Sequence, residues 1–190
     1  MHDFARKRPA SSEIPTGEFR FVALDVETAN YDRAHICQIG IACVRPDNSI
    51  ETWVSYIDPV TSDWSCSRIH GITGRTVVGA PGFSEVLPLL ERALLGHIVY
   101  QHSSFDQGAV AAACGRHGLT EPTWNWRDSV KVARLAWPHL KGNGGHGLAS
   151  LKVHLGLQFN HHDAGEDARA AAEVVLHAER HFLSSERTGD

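Results

Sequence analysis

The chain has 190 residues, enough for one domain with little left for a second. Its 42% hydrophobic and 21% charged residues exclude wholesale disorder, and no apolar stretch approaches the length of a membrane span. A formal net charge of −4 excludes capture of nucleic acid by bulk positive charge and leaves local contacts open, while 13 histidines raise a metal question.

Residues 1–17 are polar, with Pro9, Ser11, Ser12, Pro15 and Gly17, and read as a flexible leader. The Arg6-Lys7-Arg8 triplet in it reads as part of a solvated tail. Phe19–Val26 is an apolar run expected to form a buried strand. His35–Val44 is a second strand, Pro46-Asp47-Asn48 a turn, and Ile50–Ile57 a third strand. Short connections make these three an antiparallel meander. Residues 58–82, broken by Pro59, Gly71, Gly74, Gly79 and Pro81, are expected as loop. Phe83–Leu95 carries Phe83, Val86, Leu87, Leu90 and Leu94 at helical spacing. A short strand over His97–Gln101 leads to an Ala-rich helix, Ser104–His117, closed by Gly118. Trp124–Arg127 reads as a strand, followed by a helix to about Ala136 and a stop at Pro138. A Gly-rich link at 142–147 precedes a helix near Leu148–Leu155. Ala164–Leu183 is the last helix, and Ser184–Asp190 a polar tail. The order implies an α/β fold: a mixed central sheet, with a three-stranded antiparallel meander followed by parallel strands, flanked by helices.

Cys37, Cys43, Cys66 and Cys114 form no CxxC pair and no zinc-ligand spacing, and read as buried reduced thiols. With no secretory signal at the N-terminus, this points to a cytoplasmic protein.

Three clusters carry chemistry. In Asp25-Val26-Glu27-Thr28 an apolar strand ends in carboxylates at i and i+2, on one face. Two such charges repel unless a cation lies between them, and a strand end meeting solvent is the plainer alternative. Asp106, in Ser103-Ser104-Phe105-Asp106, falls in the first turn of a helix at a strand-to-helix junction, where ligands of α/β proteins collect. In the run His161–Asp167, Asp163 and Glu166 have capping-box spacing, which starts a helix at Ala164. Asp167 then lies one turn in, on the apolar face of Ala171 and Val174, where an acidic group needs a partner or a metal. His162 precedes the helix and can aim at whatever Asp167 binds. Four oxygen-donor carboxylates suit Mg²⁺ or Mn²⁺ rather than zinc. Two such ions about 3.5–4 Å apart can hold the attacking and leaving oxygens of a phosphodiester. A His with a pKa near 7 can deprotonate the attacking water.

Asp25-Val26-Glu27-Thr28, Phe105-Asp106 and His162-x-x-x-x-Asp167 resemble, in order and rough spacing, the three motifs of the DEDDh (DnaQ-like) 3′→5′ exonuclease family. That group includes the proofreading epsilon subunit of DNA polymerase III and ribonuclease T. The likeness covers residues 19–182. Ile36–Gly40 is similar to the family's second strand and Ile69–Thr73 to its substrate-side loop. The sister group has Tyr four residues before the last Asp; here that position is Asp163, so the His branch matches.

The resemblance implies a ribonuclease H-like three-layer fold over residues 18–183 and stepwise release of nucleoside 5′-monophosphates from 3′ ends. It implies Asp25, Glu27, Asp106 and Asp167 as ligands of two Mg²⁺ or Mn²⁺ ions, and His162 as general base. Thr28, Ala29, Ile69, His70 and Phe105 would hold the terminal nucleotide. Gln101-His102 stands where many members have His-Asn, a departure at the contacts to the substrate strand, and His102 counts among the substrate contacts. The expected partner is a single-stranded or frayed nucleic-acid 3′ end; Arg134–Trp137 and Asn160–Ala168 resemble the epsilon-like branch, which implies a mild preference for DNA, with trimming of RNA as the alternative. A non-catalytic polymerase-accessory module is the rival class. The chain's end soon after the last helix suggests a stand-alone repair or turnover nuclease, with DNA polymerase association as the other reading.

Gly142-x-Gly144-x-x-Gly147 matches a dinucleotide fingerprint only formally, because it follows a helix rather than a strand. Trp124, Trp126 and Trp137 are expected in the core rather than as base-stacking surfaces. His146, His154, His177 and His181 are expected on helix surfaces.

Overall fold

The computed structural model describes residues 13–142 and 144–187. The Arg6-Lys7-Arg8 triplet and the outer parts of the expected leader and tail lie outside the described residues. Five strands run β1 (Phe21–Thr28), β2 (Ile36–Val44), β3 (Ile50–Tyr56), β4 (Ile98–Gln101) and β5 (Asn125–Asp128). The helices are α1 (Ser67–His70), α2 (Phe83–Leu94), α3 (Phe105–His117), α4 (Ser129–Ala136), α5 (Leu148–Leu155) and α6 (Ala164–Arg187), with a 3-10 turn at Pro138–Leu140. The sheet order is β3-β2-β1-β4-β5. β1 pairs antiparallel with β2, and β2 with β3; β4 lies parallel to β1, and β5 to β4. This is the expected meander followed by parallel strands, in an RNase H-like arrangement.

The layers follow from the alternation of strand side chains. Val22, Leu24 and Val26 of β1 pack with Leu90 of α2 and Val110 of α3 on one face. Phe21 and Ala23 face Ala168, Ala171 and Val175 of α6 on the other. The interior strand β2 is buried along all nine residues, as covering on both faces requires. A smaller cluster around Trp137, Leu151 and Val174 joins α4, α5 and α6. Trp124 and Trp126 pack partly buried against the main core, and the four cysteines are buried free thiols, both as expected.

Several boundaries moved for physical reasons. β1 runs on to Thr28 because its ladder with β2 continues past the acidic residues, pairing Glu27 with Gln38 and, across an irregularity, Thr28 with Ile36. The expected loop 58–82 holds one helical turn, α1, closed by Gly71 at a φ of 78° with its N–H on the Ser67 carbonyl. Part of the expected leader is docked: Ile14 packs on the core and Arg45 donates to the Thr16 carbonyl. At the other end α6 continues through Ser184–Arg187. The Gly-rich link is a loop, with left-handed backbone at Gly142, Gly144 and Gly145. His146 departs from its expected surface place. It is buried, with Nε2 against the Trp137 carbonyl, because the loop folds back over α4.

The start of α6 is pressed onto the sheet. A Cβ on Gly40 would come within 2.2 Å of the Ala164 backbone, and one on Gly165 within 2.2 Å of Val54 Cγ2. Buried Gln38 accepts a hydrogen bond from the Ala164 N–H at 3.0 Å. Gly40→Ala is therefore expected to destabilise the chain by about 1–3 kcal/mol or more through overpacking. Gly115→Ala, within α3 and with nothing inside 4 Å, is expected to stabilise by up to about 1 kcal/mol. Urea midpoints for the two variants test this, and equal midpoints would contradict the close approach.

Candidate active site

Along β1 the face that opens with Phe21 and Ala23 continues with Asp25 and Glu27, so both carboxylates point to the α6 side where the apolar cover ends. α6, set by Gln38 and the two glycines, brings Asp167 over them. One oxygen each of Asp25, Glu27 and Asp167 lies within 4.8 Å of the others. Asp106 enters from the start of α3, beyond the carboxyl end of β4, and accepts a hydrogen bond from the Val26 N–H at 3.1 Å. It is outside the 4.8 Å group but close enough for its charge to act on Asp25. The four sequence candidates thus converge at the carboxyl ends of two parallel strands.

Asp106 and Asp167 are each 3% exposed, and Asp25 and Glu27 are part-buried. Burial is the first cause holding Asp25 well above the usual carboxylate range, followed by the charges of Asp106, Asp167 and Glu27. Burial, then Asp167 and Asp106, pushes Glu27 up to about 8. Asp106 is pushed to about 7 by burial, against hydrogen bonds that favour its charge. Asp167 is raised by burial and moderated by bonds from the His162 N–H and the His161 ring. Among the described residues, the basic side chain that pairs with this group is an imidazole, His161, and not a Lys or Arg. Buried like charges without a strong cation are the condition that a bound divalent ion relieves, and an all-oxygen donor set fits Mg²⁺ or Mn²⁺.

His161 and His162 wrap Asp167. His161 Nδ1 is 2.9 and 3.0 Å from the two carboxylate oxygens, and the His162 N–H donates to Oδ2 at 2.8 Å. The two rings stack at 4.2 Å, 9° from parallel. His162 holds a φ of 67°, which costs a β-carbon residue roughly 1–2 kcal/mol and exposes its ring. Burial, then the neighbouring His161, lowers the His162 pKa, so its ring is neutral at neutral pH. Asp163 caps α6 through the N–H groups of Gly165 and Glu166. The Glu166 carboxylate accepts a hydrogen bond from the Asn160 side-chain amide at 3.1 Å.

The remaining candidates divide. Ile69, in α1, is 46% exposed, and Phe105 is part-buried with the Arg33 guanidinium 4.8 Å above its ring. His70 is used internally: Nδ1 accepts from the Ile72 N–H, so Nε2 donates to the Thr28 carbonyl at 3.0 Å. Thr28 Oγ1 donates to the Asn30 carbonyl, and the Ala29 N–H and carbonyl bond to His35 and Cys66. His102 has both ring nitrogens engaged, on Ser129 Oγ at 2.8 Å and the His146 carbonyl at 2.9 Å, and burial lowers its pKa to about 4. It ties β4 to α4 and the Gly-rich loop. Sequence reasoning missed His161 and Gln38. Adjacent histidines give no sign of which one touches Asp167, whereas a Gln inside an apolar strand was a usable signal.

The model of the RNase T family, described as Exonuclease, matches residues 22–175. DNA polymerase III PolC-type of Clostridium perfringens is 28% identical over 162 residues, covering 82% of this chain and 11% of that protein. The chain spans about a tenth of the length of the curated relatives it matches. Among solved structures, the nuclease domain of 3′hExo, a DEDDh family member bound to rAMP, superposes with a TM-score of 0.70 at 18% identity, covering 84% of this chain and 91% of that one. Exonuclease I superposes at 0.71 with 17% identity, covering 88% and 43%. At these identities the structures establish a shared fold.

Proposed function

This chain belongs to the RNase T family of exonucleases, in its DEDDh branch of 3′→5′ phosphodiester hydrolases, and from that premise we propose that residues 18–183 remove nucleotides one at a time from single-stranded or frayed 3′ ends, releasing nucleoside 5′-monophosphates. The observation that carries this reading is the meeting of Asp25, Glu27 and Asp167 with Asp106 beside them. These four would hold two Mg²⁺ or Mn²⁺ ions, which when bound supply charge stabilisation for the attacking and leaving oxygens. His162, neutral and exposed, takes the proton of the attacking water on an imidazole nitrogen. The Ile69 side chain and the Phe105 ring flank the terminal nucleotide. Thr28, Ala29 and His70, whose polar groups bond to one another's loops, hold that wall in place.

DNA is the substrate this reading favours, on the 28% likeness to PolC-type polymerase III, and association with a DNA polymerase belongs to the same proposal. No helix among the described residues is long and apolar enough to cross a membrane; a cytoplasmic place is part of the same proposal. With a net charge of −4, binding should be to strand ends and metal-dependent rather than tight along a duplex.

The test uses a single-stranded DNA with a 5′ label, a matched RNA, and a DNA blocked by a 3′ phosphate. The expected products from DNA are a ladder shortening from the 3′ end and nucleoside 5′-monophosphates. Internal cuts, or 3′-monophosphate products, would overturn the assignment. Faster shortening of the RNA would reassign the substrate and keep the chemistry.

A further inference from the structure

A second donor set overlaps the carboxylate centre and differs from it in chemistry. His161, His162 and Asp167 each place one ligand atom within 4.8 Å of the other two. We propose that these three residues form a site for a borderline transition ion of the Zn²⁺ type, sharing Asp167 with the carboxylate centre and competing with it.

The geometry needs little change at two of the three ligands. A tetrahedral ion with bonds of about 2.0–2.1 Å sets its ligand atoms about 3.3 Å apart. His161 Nδ1 already stands 2.9 and 3.0 Å from the Asp167 oxygens, so an ion enters by opening that contact by a few tenths of an ångström. His161 is steadied by an edge contact with Phe159 at 5.9 Å. The third ligand must turn. Imidazole lone pairs lie in the ring plane, so two rings stacked 9° from parallel cannot share one ion as they stand. His162 is exposed and can swing its ring without disturbing the core. The result is two nitrogens, one oxygen and an open fourth position.

Such a set selects among metals. Imidazole nitrogen suits Zn²⁺, Co²⁺ and Cu²⁺, while Mg²⁺ takes oxygen and keeps its waters. The nearby Asp25-Glu27-Asp167 group is all oxygen and has the opposite preference. An ion on the histidines takes one oxygen from the carboxylate centre and occupies His162. Zn²⁺ would then inhibit strand cleavage driven by Mg²⁺. That consequence rests on the nuclease reading; the binding site does not.

The experiment titrates the metal-stripped full chain with Zn²⁺ alone, and separately with Mn²⁺ alone, by calorimetry in the absence of nucleic acid. The native protein is compared with His161→Ala and Glu27→Gln. Loss of groups one shell out from a metal costs 10–100-fold in affinity, so losing a ligand should cost at least about 100-fold. His161→Ala should weaken Zn²⁺ by that factor and leave Mn²⁺ within about threefold; Glu27→Gln should do the reverse. His161→Phe, which keeps a ring against Phe159 but no ligand nitrogen, separates loss of the ligand from loss of packing. Co²⁺ supplies a spectral readout: intense visible bands of a low-coordinate nitrogen site, absent in both His161 variants. Zn²⁺ affinity unchanged in His161→Ala and His161→Phe, or lost in Glu27→Gln, would overturn the proposal and place the ion in the carboxylate centre. Those outcomes leave the nuclease reading intact, whereas absence of hydrolysis with a normal Zn²⁺ titration would overturn that reading alone.

Discussion

Asp25→Asn is expected to lower the rate of 3′-end hydrolysis by at least about a thousandfold, equivalent to roughly 4 kcal/mol of barrier. The side chain keeps its shape and loses the charge that makes it a metal ligand. Asp25 sits where the other three carboxylates act on it together, and Asn leaves Glu27 and Asp167 to hold an ion with one anionic ligand fewer. The same change should raise the melting temperature of the metal-free protein, because a buried carboxylate among like charges is replaced by a neutral amide. Rate and melting temperature therefore move in opposite directions. A fold defect would lower both. A rate within tenfold of the native protein would remove Asp25 from the metal centre.

The second large effect is a loss of stability with rising pH in the metal-stripped protein. Glu27 is pushed up to about 8, Asp106 to about 7, and Asp25 is raised as well. Unfolded, these groups titrate near 4. Between those values the folded state binds more protons than the unfolded one, so stability is full below about pH 4 and is lost as pH rises through the folded pKa values. His70, His102, His162 and His177 act the other way, mostly below about pH 7, because their pKa values are lowered by burial. The window in which the carboxyl groups dominate is therefore about pH 7–8, above the imidazole range and below the range in which the unfolded cysteines, whose buried thiols are held up in the folded chain, begin to ionise. There stability should fall by on the order of 1–2 kcal/mol. Saturating Mn²⁺ should reverse the trend, because the ion binds deprotonated carboxylates and stabilises the folded state. Glu27→Gln should flatten the metal-free slope. Thermal unfolding in EDTA at four pH values, with and without Mn²⁺, measures this; a metal-free stability that rises through the window would contradict it.

The acid residues were readable because their roles depend on periodicity. An i, i+2 pair on a strand shares a face, and an Asp four residues before Ala171 on a helix shares the inward stripe. The meander and the parallel strands were readable from run length and turn residues, and the family likeness joined the three motifs in order. What periodicity could not supply was the pairing of side chains across the fold. That His102 is tied to Ser129 and His146, and His70 to Thr28 and Ile72, depends on contacts 27 to 44 residues apart, as well as on a local turn. His146 was misplaced for the same reason: its burial comes from a loop folding back onto Trp137. β1 ran two residues further than its apolar letters suggested because the β2 ladder holds Glu27 and Thr28 in register. His161 beside His162 is the clearest case, since only the path of the backbone, with His162 at a φ of 67°, decides which ring meets Asp167.

The net charge of −4 equals the four carboxylates of the site, so the excess acidity of this chain is concentrated where two divalent ions would neutralise it. The most direct test of that account is a Mn²⁺ titration of the stripped native protein, with bound ion and strand hydrolysis read in the same samples. The account predicts two ions per chain and hydrolysis that appears with the second; hydrolysis that persists in EDTA, or that is complete with one ion, would contradict it.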